Sequence, residues 1–126
     1  MADFSFTIPG EVSGKKNENM FSMRTGRVFK SDRFRSWHSM AYMHMRAQAR
    51  PERPIETPVN VDVAFVHGDN RRRDGDNGLS AIMDLLVDTK ILADDRWSIV
   101  RNIRVSNDYE KGKPSCRIRI TDAALP

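Results

Sequence analysis

Residues 59–66 constrain the fold more than any other segment of this sequence. Val61, Val63 and Phe65 alternate with other side chains there, a pattern typical of a β-strand. Small apolar and β-branched residues dominate the run, which predicts a central, buried strand. A polar loop, residues 67–73, follows it directly. The loop leads from this strand into the segment that holds most of the candidate functional side chains.

Two helices are predicted, one before this strand and one after it. The first begins at Ser31 or Asp32 and runs toward Arg50, and the second is capped by Asp76 or Asn77. One side of the first helix is predicted to hold the apolar residues Phe34, Trp37, Ala41 and Met45, together with Gln48. The second helix has apolar residues at the i, i+3, i+4 and i+7 positions Leu79, Ile82, Met83 and Leu86.

Further strands are predicted at both ends of the chain. Residues 4–8 alternate and stop at a Pro-Gly turn, residues 27–30 form a short strand, and residues 99–105 and 116–121 are expected to pair as a hairpin. We therefore predict an α/β fold, a single domain over residues 1–126 in which two main helices pack on a small mixed β-sheet.

Size and composition exclude several classes of protein. With 126 residues and 14.5 kDa, the chain can form one domain, which excludes multidomain enzymes. The longest apolar runs are four residues, so no membrane helix is expected. The start Met1-Ala2-Asp3 lacks the basic and apolar regions of a signal peptide, which predicts a location inside the cell. The single cysteine, Cys116, lies in an alternating run and is expected in the core.

Charge is distributed unevenly along the chain. The formal net charge is +4, but residues 15–53 hold ten Lys/Arg against three Asp/Glu. Residues 74–95 hold six aspartates and one lysine, directly after Arg71-Arg72-Arg73. Carboxylates are the ligands that Mg²⁺ and Mn²⁺ prefer, and basic side chains bind phosphates. On charge alone, a solvated acidic helix beside a solvated basic loop is the simpler interpretation.

The spacing of the aspartates indicates a candidate cation site, which the charge distribution alone does not. Asp74 and Asp76 are two residues apart, so in an extended segment both side chains point to one side and can share a cation. Asp95 can join them only if the chain folds back after the second helix. A calcium loop is excluded, because its sixth position would be Leu79 instead of glycine and its twelfth Leu85 instead of glutamate.

A helix cap is the other simple interpretation of these acids. It explains Asp76 and Asn77, since both residue types accept hydrogen bonds from the first free N–H groups of a helix. It leaves Asp74 and the pair Asp94-Asp95 unexplained.

At the level of whole motifs, the sequence resembles the RusA-type Holliday-junction resolvases, small endonucleases of phages and prophages. The resemblance extends over nearly the whole chain. Its motifs are Arg71-Arg72-Arg73-Asp74-Gly75-Asp76-Asn77, Asp84-Leu85-Leu86 and Asp94-Asp95, with weaker support from Phe6-Thr7-Ile8-Pro9-Gly10 and Gly26-Arg27-Val28-Phe29.

The resemblance implies a homodimer that binds four-way DNA junctions and cuts them symmetrically with Mg²⁺ or Mn²⁺, in recombination and repair of phage or prophage DNA. Asp74, Asp76 and Asp95 would be the metal-binding catalytic acids, supported by Asp94, Asp84 and Asn77. The expected DNA contacts are Lys15, Lys16, Arg71, Arg72 and Arg73. The expected location is the bacterial cytoplasm or nucleoid, with no membrane partner and no small-molecule cofactor.

One position departs from the family pattern. The family has a lysine three residues after its Asp-Asn pair, where this sequence has Ser80. Another base, such as Arg73, Lys15 or Lys16, can take its role. The alternative is a junction-binding protein whose cleavage is weakened or lost.

Overall fold

The computed structural model describes residues 2–13, 19–21, 26, 28–30, 32–70 and 75–123, with the backbone alone for residues 19–21, 28–30 and 75–77. Its elements, in chain order, are β1 (Asp3–Pro9), β2 (Asn19–Phe21), β3 (Val28–Lys30), α1 (Asp32–Ala47), β4 (Val59–His67), α2 (Gly75–Asp88), β5 (Val100–Tyr109) and β6 (Ser115–Asp122).

A four-stranded mixed sheet forms the centre of the fold, in the order β1-β6-β4-β5. The pair β4–β5 is parallel, whereas β1–β6 and β4–β6 are antiparallel. β2 and β3 form a separate two-stranded sheet. β2 was not expected, because it lies in a polar segment. The prediction of a small mixed sheet with two main helices is confirmed.

The predicted hairpin of β5 and β6 is wrong, because β4 lies between these two strands. The connection crosses the end of β4, where the Glu110 N–H donates to the His67 carbonyl and the Gly112 N–H to the Gly68 carbonyl, both at 2.9 Å. A buried strand has backbone donors and acceptors along both edges, and each of them needs a partner. β4 gains partners for both edges by this insertion.

Both helices cover one face of the sheet and bury the predicted side chains there. The sheet contributes alternate residues to this core: Phe6, Ile8, Val59, Val61, Val63, Phe65, Cys116, Ile118 and Ile120. α1 adds the four residues predicted for its apolar side, and α2 adds Ile82, Met83 and Leu86, while Leu79 is half-buried. Each fully buried aliphatic side chain stabilises the fold by about 1.5–3 kcal/mol. α1 ends at Ala47, earlier than expected.

Among the residues that the structure describes, no helix packs on the opposite face of the sheet, and most side chains there are polar. On that face Asp62 is paired in register with Arg104 of β5 and with Arg119 of β6. A sheet with one solvated face shows the alternation of buried and exposed residues seen in β6. No helix in the described part of the chain is long and apolar enough to cross a membrane.

Candidate active site

The start of α2 lies against the end of β4. A Cβ atom added at Gly78 would lie 3.2 Å from the ring of Phe65, so the missing side chain lets the helix approach the strand closely. α2 begins at Gly75, so Asp76 and Asn77 lie within its first turn by their backbone, and the prediction that one of them caps the helix is wrong. The site motif is therefore placed beyond the carboxyl end of the central strand, at a helix start whose dipole favours negative charge.

Hydrogen bonds hold Gly68, the first residue of the segment between β4 and α2 (residues 68–74, called the motif loop below). The carboxylate of Glu11 accepts from the Gly68 N–H at 3.0 Å and lies 3.3 Å from Nδ1 of His67. Nε2 of His67 lies 2.9 Å from Oδ1 of Asn107. Three separate segments thus meet where β4 ends. His67 is held by hydrogen bonds, as such an isolated histidine usually is.

Glu11 was not among the expected site residues. It lies in a polar stretch, far along the chain from Gly68, and no motif or spacing in the sequence connects the two positions. Only the pairing of β1 with the sheet brings this carboxylate to the end of β4. Sequence reasoning from one chain had no signal with which to find it.

The connection from β5 to β6 packs against the same end of β4. The Gly10 N–H donates to the Pro114 carbonyl at 2.9 Å. A Cβ atom at Gly68 would lie only 2.7 Å from Cδ of Pro114, so this crossing requires glycine. The backbone at the entrance to the motif loop is therefore fixed from two sides.

Asp94 and Asp95 lie at the other end of α2. After the helix the chain adopts a positive φ of 65° at Lys90, and then pairs with Ile55, which donates to the Ile91 carbonyl at 2.9 Å and accepts from the Ala93 N–H at 3.0 Å. Ile55 precedes β4, so this segment runs along the amino end of the strand. It does not return to the start of α2.

The length of α2 makes the separation between Asp95 and Asp76 large. α2 has 14 residues, which corresponds to about 20 Å at the usual rise of a helix. Asp95 is exposed, and its N–H donates to Oδ1 of Asp94 at 2.8 Å, while the other oxygen of Asp94 lies 3.7 Å from Arg96. Within one chain, the structure therefore does not bring Asp95 to the turn that contains Asp76.

The remaining expected site residues divide into two groups. Asp84 is half-buried on α2 and has an interaction partner. Ser80, which stands where the family has a lysine, is also half-buried on this helix. The residues Lys15, Lys16, Arg71, Arg72, Arg73 and Asp74, and the side chains of Asp76 and Asn77, lie outside the described part of the molecule. Among the described side chains, no group of three His, Cys, Asp or Glu could hold a metal ion. The carboxylate chemistry of the motif nevertheless suits a hard divalent cation.

Cys116 takes no part in this site. Its side chain is fully buried on β6, and burial raises the pKa of the thiol from 9.0 to about 12. A protonated, enclosed thiol is neither a nucleophile nor a metal ligand. The expectation of a core cysteine is confirmed.

Comparison with known proteins identifies the family of this chain. Residues 9–121 match the family Endodeoxyribonuclease RusA. The chain is also similar to the crossover junction endodeoxyribonuclease RusA of Aquifex aeolicus (strain VF5), with 26% identity over 111 residues that cover 88% of this chain and 86% of the relative. The matched region runs from the end of β1 into β6 and includes both helices and the motif between β4 and α2. The chain therefore belongs to the RusA family of endodeoxyribonucleases.

Proposed function

We propose that this protein resolves four-way DNA junctions as a homodimer, by paired symmetric nicks that depend on Mg²⁺ or Mn²⁺. The observation that supports this most is the family match over residues 9–121, which includes the whole strand, loop and helix that carry the acids. The rigid surroundings of Gly68 and Gly78 support a site at the end of β4. Hydrolysis of a phosphodiester requires such rigid placement of charged groups.

The acids of the motif have the central role in this proposal. Asp74, Asp76 and Asp95 hold the cation, which when bound supplies positive charge that activates a water molecule and stabilises the charge developing on the phosphate. One of these carboxylates helps to remove the proton from the attacking water. Asp94 and Asp84 orient the acids, and Asn77 continues the first turn of α2. The basic residues Lys15, Lys16, Arg71, Arg72 and Arg73 bind the DNA backbone.

The position of Asp95 favours a site built from two subunits. In one chain, Asp76 lies at the start of α2, a helix about 20 Å long, and Asp95 follows its other end. In a homodimer, Asp95 of the partner subunit can approach Asp74 and Asp76, and the two-fold axis then generates two identical sites. Two symmetric sites suit a substrate that must be cut at two symmetric positions.

The test is incubation of the protein with a synthetic four-way junction and Mg²⁺ or Mn²⁺. The wild-type chain is expected to give paired nicks, and Asp76→Asn is expected to bind the junction without cutting it. Asp88→Asn is the matched control, because Asp88 lies at the other end of α2 and pairs with His38 at 3.1 Å. Retained cutting by Asp76→Asn would refute the site. A wild-type protein that shifts the junction but does not nick it would favour the binding-only alternative.

Mixed dimers test whether the site is shared. Asp76→Asn and Asp95→Asn are each expected to be inactive. If each site combines Asp76 with Asp95 of the partner subunit, a mixed dimer of the two variants retains one complete site. Random mixing should then restore about a quarter of the wild-type sites. No recovery in a mixture shown to contain mixed dimers would place both acids of a site in one chain.

A further inference from the structure

The backbone of β5 has an open edge. β5 is the outer strand of the sheet, and no strand in the described part of the chain pairs with its far side. The Glu110 N–H donates to β4, so the backbone groups of even-numbered residues in this strand face β4. Those of Ile103, Val105, Asn107 and Tyr109 face outward. Proteins protect such edges with proline, charged side chains, bulges or short strands. Residues 100–109 form a long strand without proline or lysine, whose charged side chains are Arg101, Arg104 and Asp108 and whose register shift lies at its start.

Exposed apolar side chains accompany this edge. Among the described residues, Trp97 is 78% exposed, Tyr109 53%, Ile103 46% and Val105 37%. Ile103 and Val105 pair in register with Val61 and Val63 of β4, and so lie on the face that the helices cover elsewhere. The helices leave this outer strand bare. Apolar surface beside an unpaired strand edge is typical of an interface between protein chains.

We propose that β5 pairs antiparallel with β5 of a second copy of this chain, about a two-fold axis at Ser106. An antiparallel ladder pairs outward-facing residues with one another, so only registers that oppose odd to odd and even to even residues are possible. With the axis at Ser106, Arg104 lies opposite Asp108 of the partner subunit, and Ile103 lies opposite Tyr109 of the partner subunit. Both contacts occur twice by symmetry.

The neighbouring registers fit less well. An axis at Arg104 places that arginine opposite the partner's Arg104, which is repulsive. An axis at Val105 places Ile103 opposite the partner's Asn107 and separates Arg104 from acidic partners. An axis at Asn107 pairs only residues 105–109, whereas the axis at Ser106 pairs residues 103–109. Within residues 100–109, ladder length disfavours only the axis at Asn107, and charge complementarity favours the axis at Ser106 over the longer ladders centred on Arg104 and Val105.

This inference rests on the proposed homodimer and specifies its surface. An antiparallel pair places the start of one β5 beside the end of the other. Asp95 lies shortly before β5 begins, and α2 starts near the end of β4 with which β5 runs parallel. The pairing thus turns Asp95 of one subunit toward the motif end of its partner.

Substitution by proline tests the edge. The Val105 N–H faces outward, so Val105→Pro removes a donor from the dimer ladder without removing one from the sheet within the subunit. By analytical ultracentrifugation, the wild-type protein is expected to be a dimer and Val105→Pro a monomer with an unchanged circular dichroism spectrum. A folded Val105→Pro protein that remains dimeric overturns this interface and leaves the proposed homodimer intact. A wild-type monomer at all concentrations overturns both.

Crosslinking tests the register without relying on the proline variant. Ser106 faces its own copy in a non-hydrogen-bonded pair, where the Cα atoms are about 4.5 Å apart, within the range of a disulfide. Ser106→Cys is expected to form a covalent dimer on mild oxidation. Asn102→Cys, on the same face of β5, lies far from its own copy and is the control. Cys116 gives no background because it is buried. Equal crosslinking of both variants, or of neither, overturns the register.

Exchange of charge gives a third readout. Arg104→Asp and Asp108→Arg are each expected to weaken the dimer, and the double variant to restore it, because the exchanged pair keeps opposite charges in contact. Arg117→Asp, on the same face but on β6, should leave the dimer unchanged. Failure of the double variant to recover dimerisation contradicts the pairing of these two positions. Junction cleavage is not needed for any of these measurements, so loss of the proposed nuclease activity would leave them valid.

Discussion

Gly68→Ala is expected to destabilise the protein at the entrance to its motif loop. The added Cβ atom would lie 2.7 Å from Cδ, 3.1 Å from Cγ and 3.2 Å from Cβ of Pro114. Carbon atoms in ordinary contact are at least about 3.5 Å apart, so the closest pair must separate by roughly 0.8 Å. The proline ring cannot rotate away as a flexible side chain would. The backbone carbonyl of Pro114 also accepts a hydrogen bond from the Gly10 N–H.

The backbone must therefore move, at a cost typical of overpacking, about 1–3 kcal/mol. For a domain of this size, the melting temperature is expected to fall by about 4 °C for each kcal/mol. Thermal unfolding followed by circular dichroism measures this directly. Nicking of a junction should also fall at temperatures where the variant is fully folded, because Gly68 leads into the segment that carries Asp74.

The double variant Gly68→Ala/Pro114→Ala distinguishes this explanation from a general effect of alanine. Pro114→Ala removes Cδ and Cγ, the two closest atoms, and leaves only the 3.2 Å contact. The two substitutions are in direct contact and should couple, so Gly68→Ala should cost less in the Pro114→Ala background. Wild-type stability in Gly68→Ala alone, or an equal cost in both backgrounds, would refute the steric argument.

Three further outcomes are expected. Ser80→Lys should increase the rate of nicking if the lysine role is vacant, with Ser80→Gln as the uncharged control, and equal rates would show that another base fills it. Glu11→Gln should lower the free energy of unfolding by about 1 kcal/mol, because bonds from Gly68 and His67 to a charged acceptor become bonds to a neutral one; an unchanged denaturation midpoint contradicts this. Cys116, whose pKa burial raises to about 12, should resist a thiol reagent at pH 8 and react once after unfolding. Fast reaction of the folded protein would disprove its burial.

Local patterns in the sequence predicted the helices and most strands correctly. Helical periodicity in α1 and α2 and alternation in β4 depend on which side chains one element buries, and that information is present within each segment. The hairpin prediction failed because strand order depends on partners distant in the chain. Two apolar strands joined by a turn-rich segment satisfy the local rule whether or not β4 enters between them.

The candidate site shows the same division between local and distant information. The motif between β4 and α2 could be predicted from residues close together in sequence, as could its place at the start of a helix. The path after α2 could not, because the pairing of residues 91–93 with Ile55 follows from the packing of the whole sheet. The carboxylate of Glu11 reaches Gly68 for the same reason. Features that depend on one helix or strand could be predicted from the sequence, whereas contacts between distant elements could not.

The place of β6 has a consequence for how the protein becomes active during synthesis. β6 pairs with β1 on one side and β4 on the other, so the first strand joins the sheet only through the last one. β1 and β6 are separated by most of the described chain. Such distant segments pair late in folding, because they must meet before the contacts between them can stabilise the fold. In a ribosome-bound chain that lacks residues 115–122, β1 has no strand to pair with, so Glu11 is not held at the end of β4 and the sheet is incomplete. The order of strands thus delays assembly of a DNA-cutting site until translation of the domain is nearly finished.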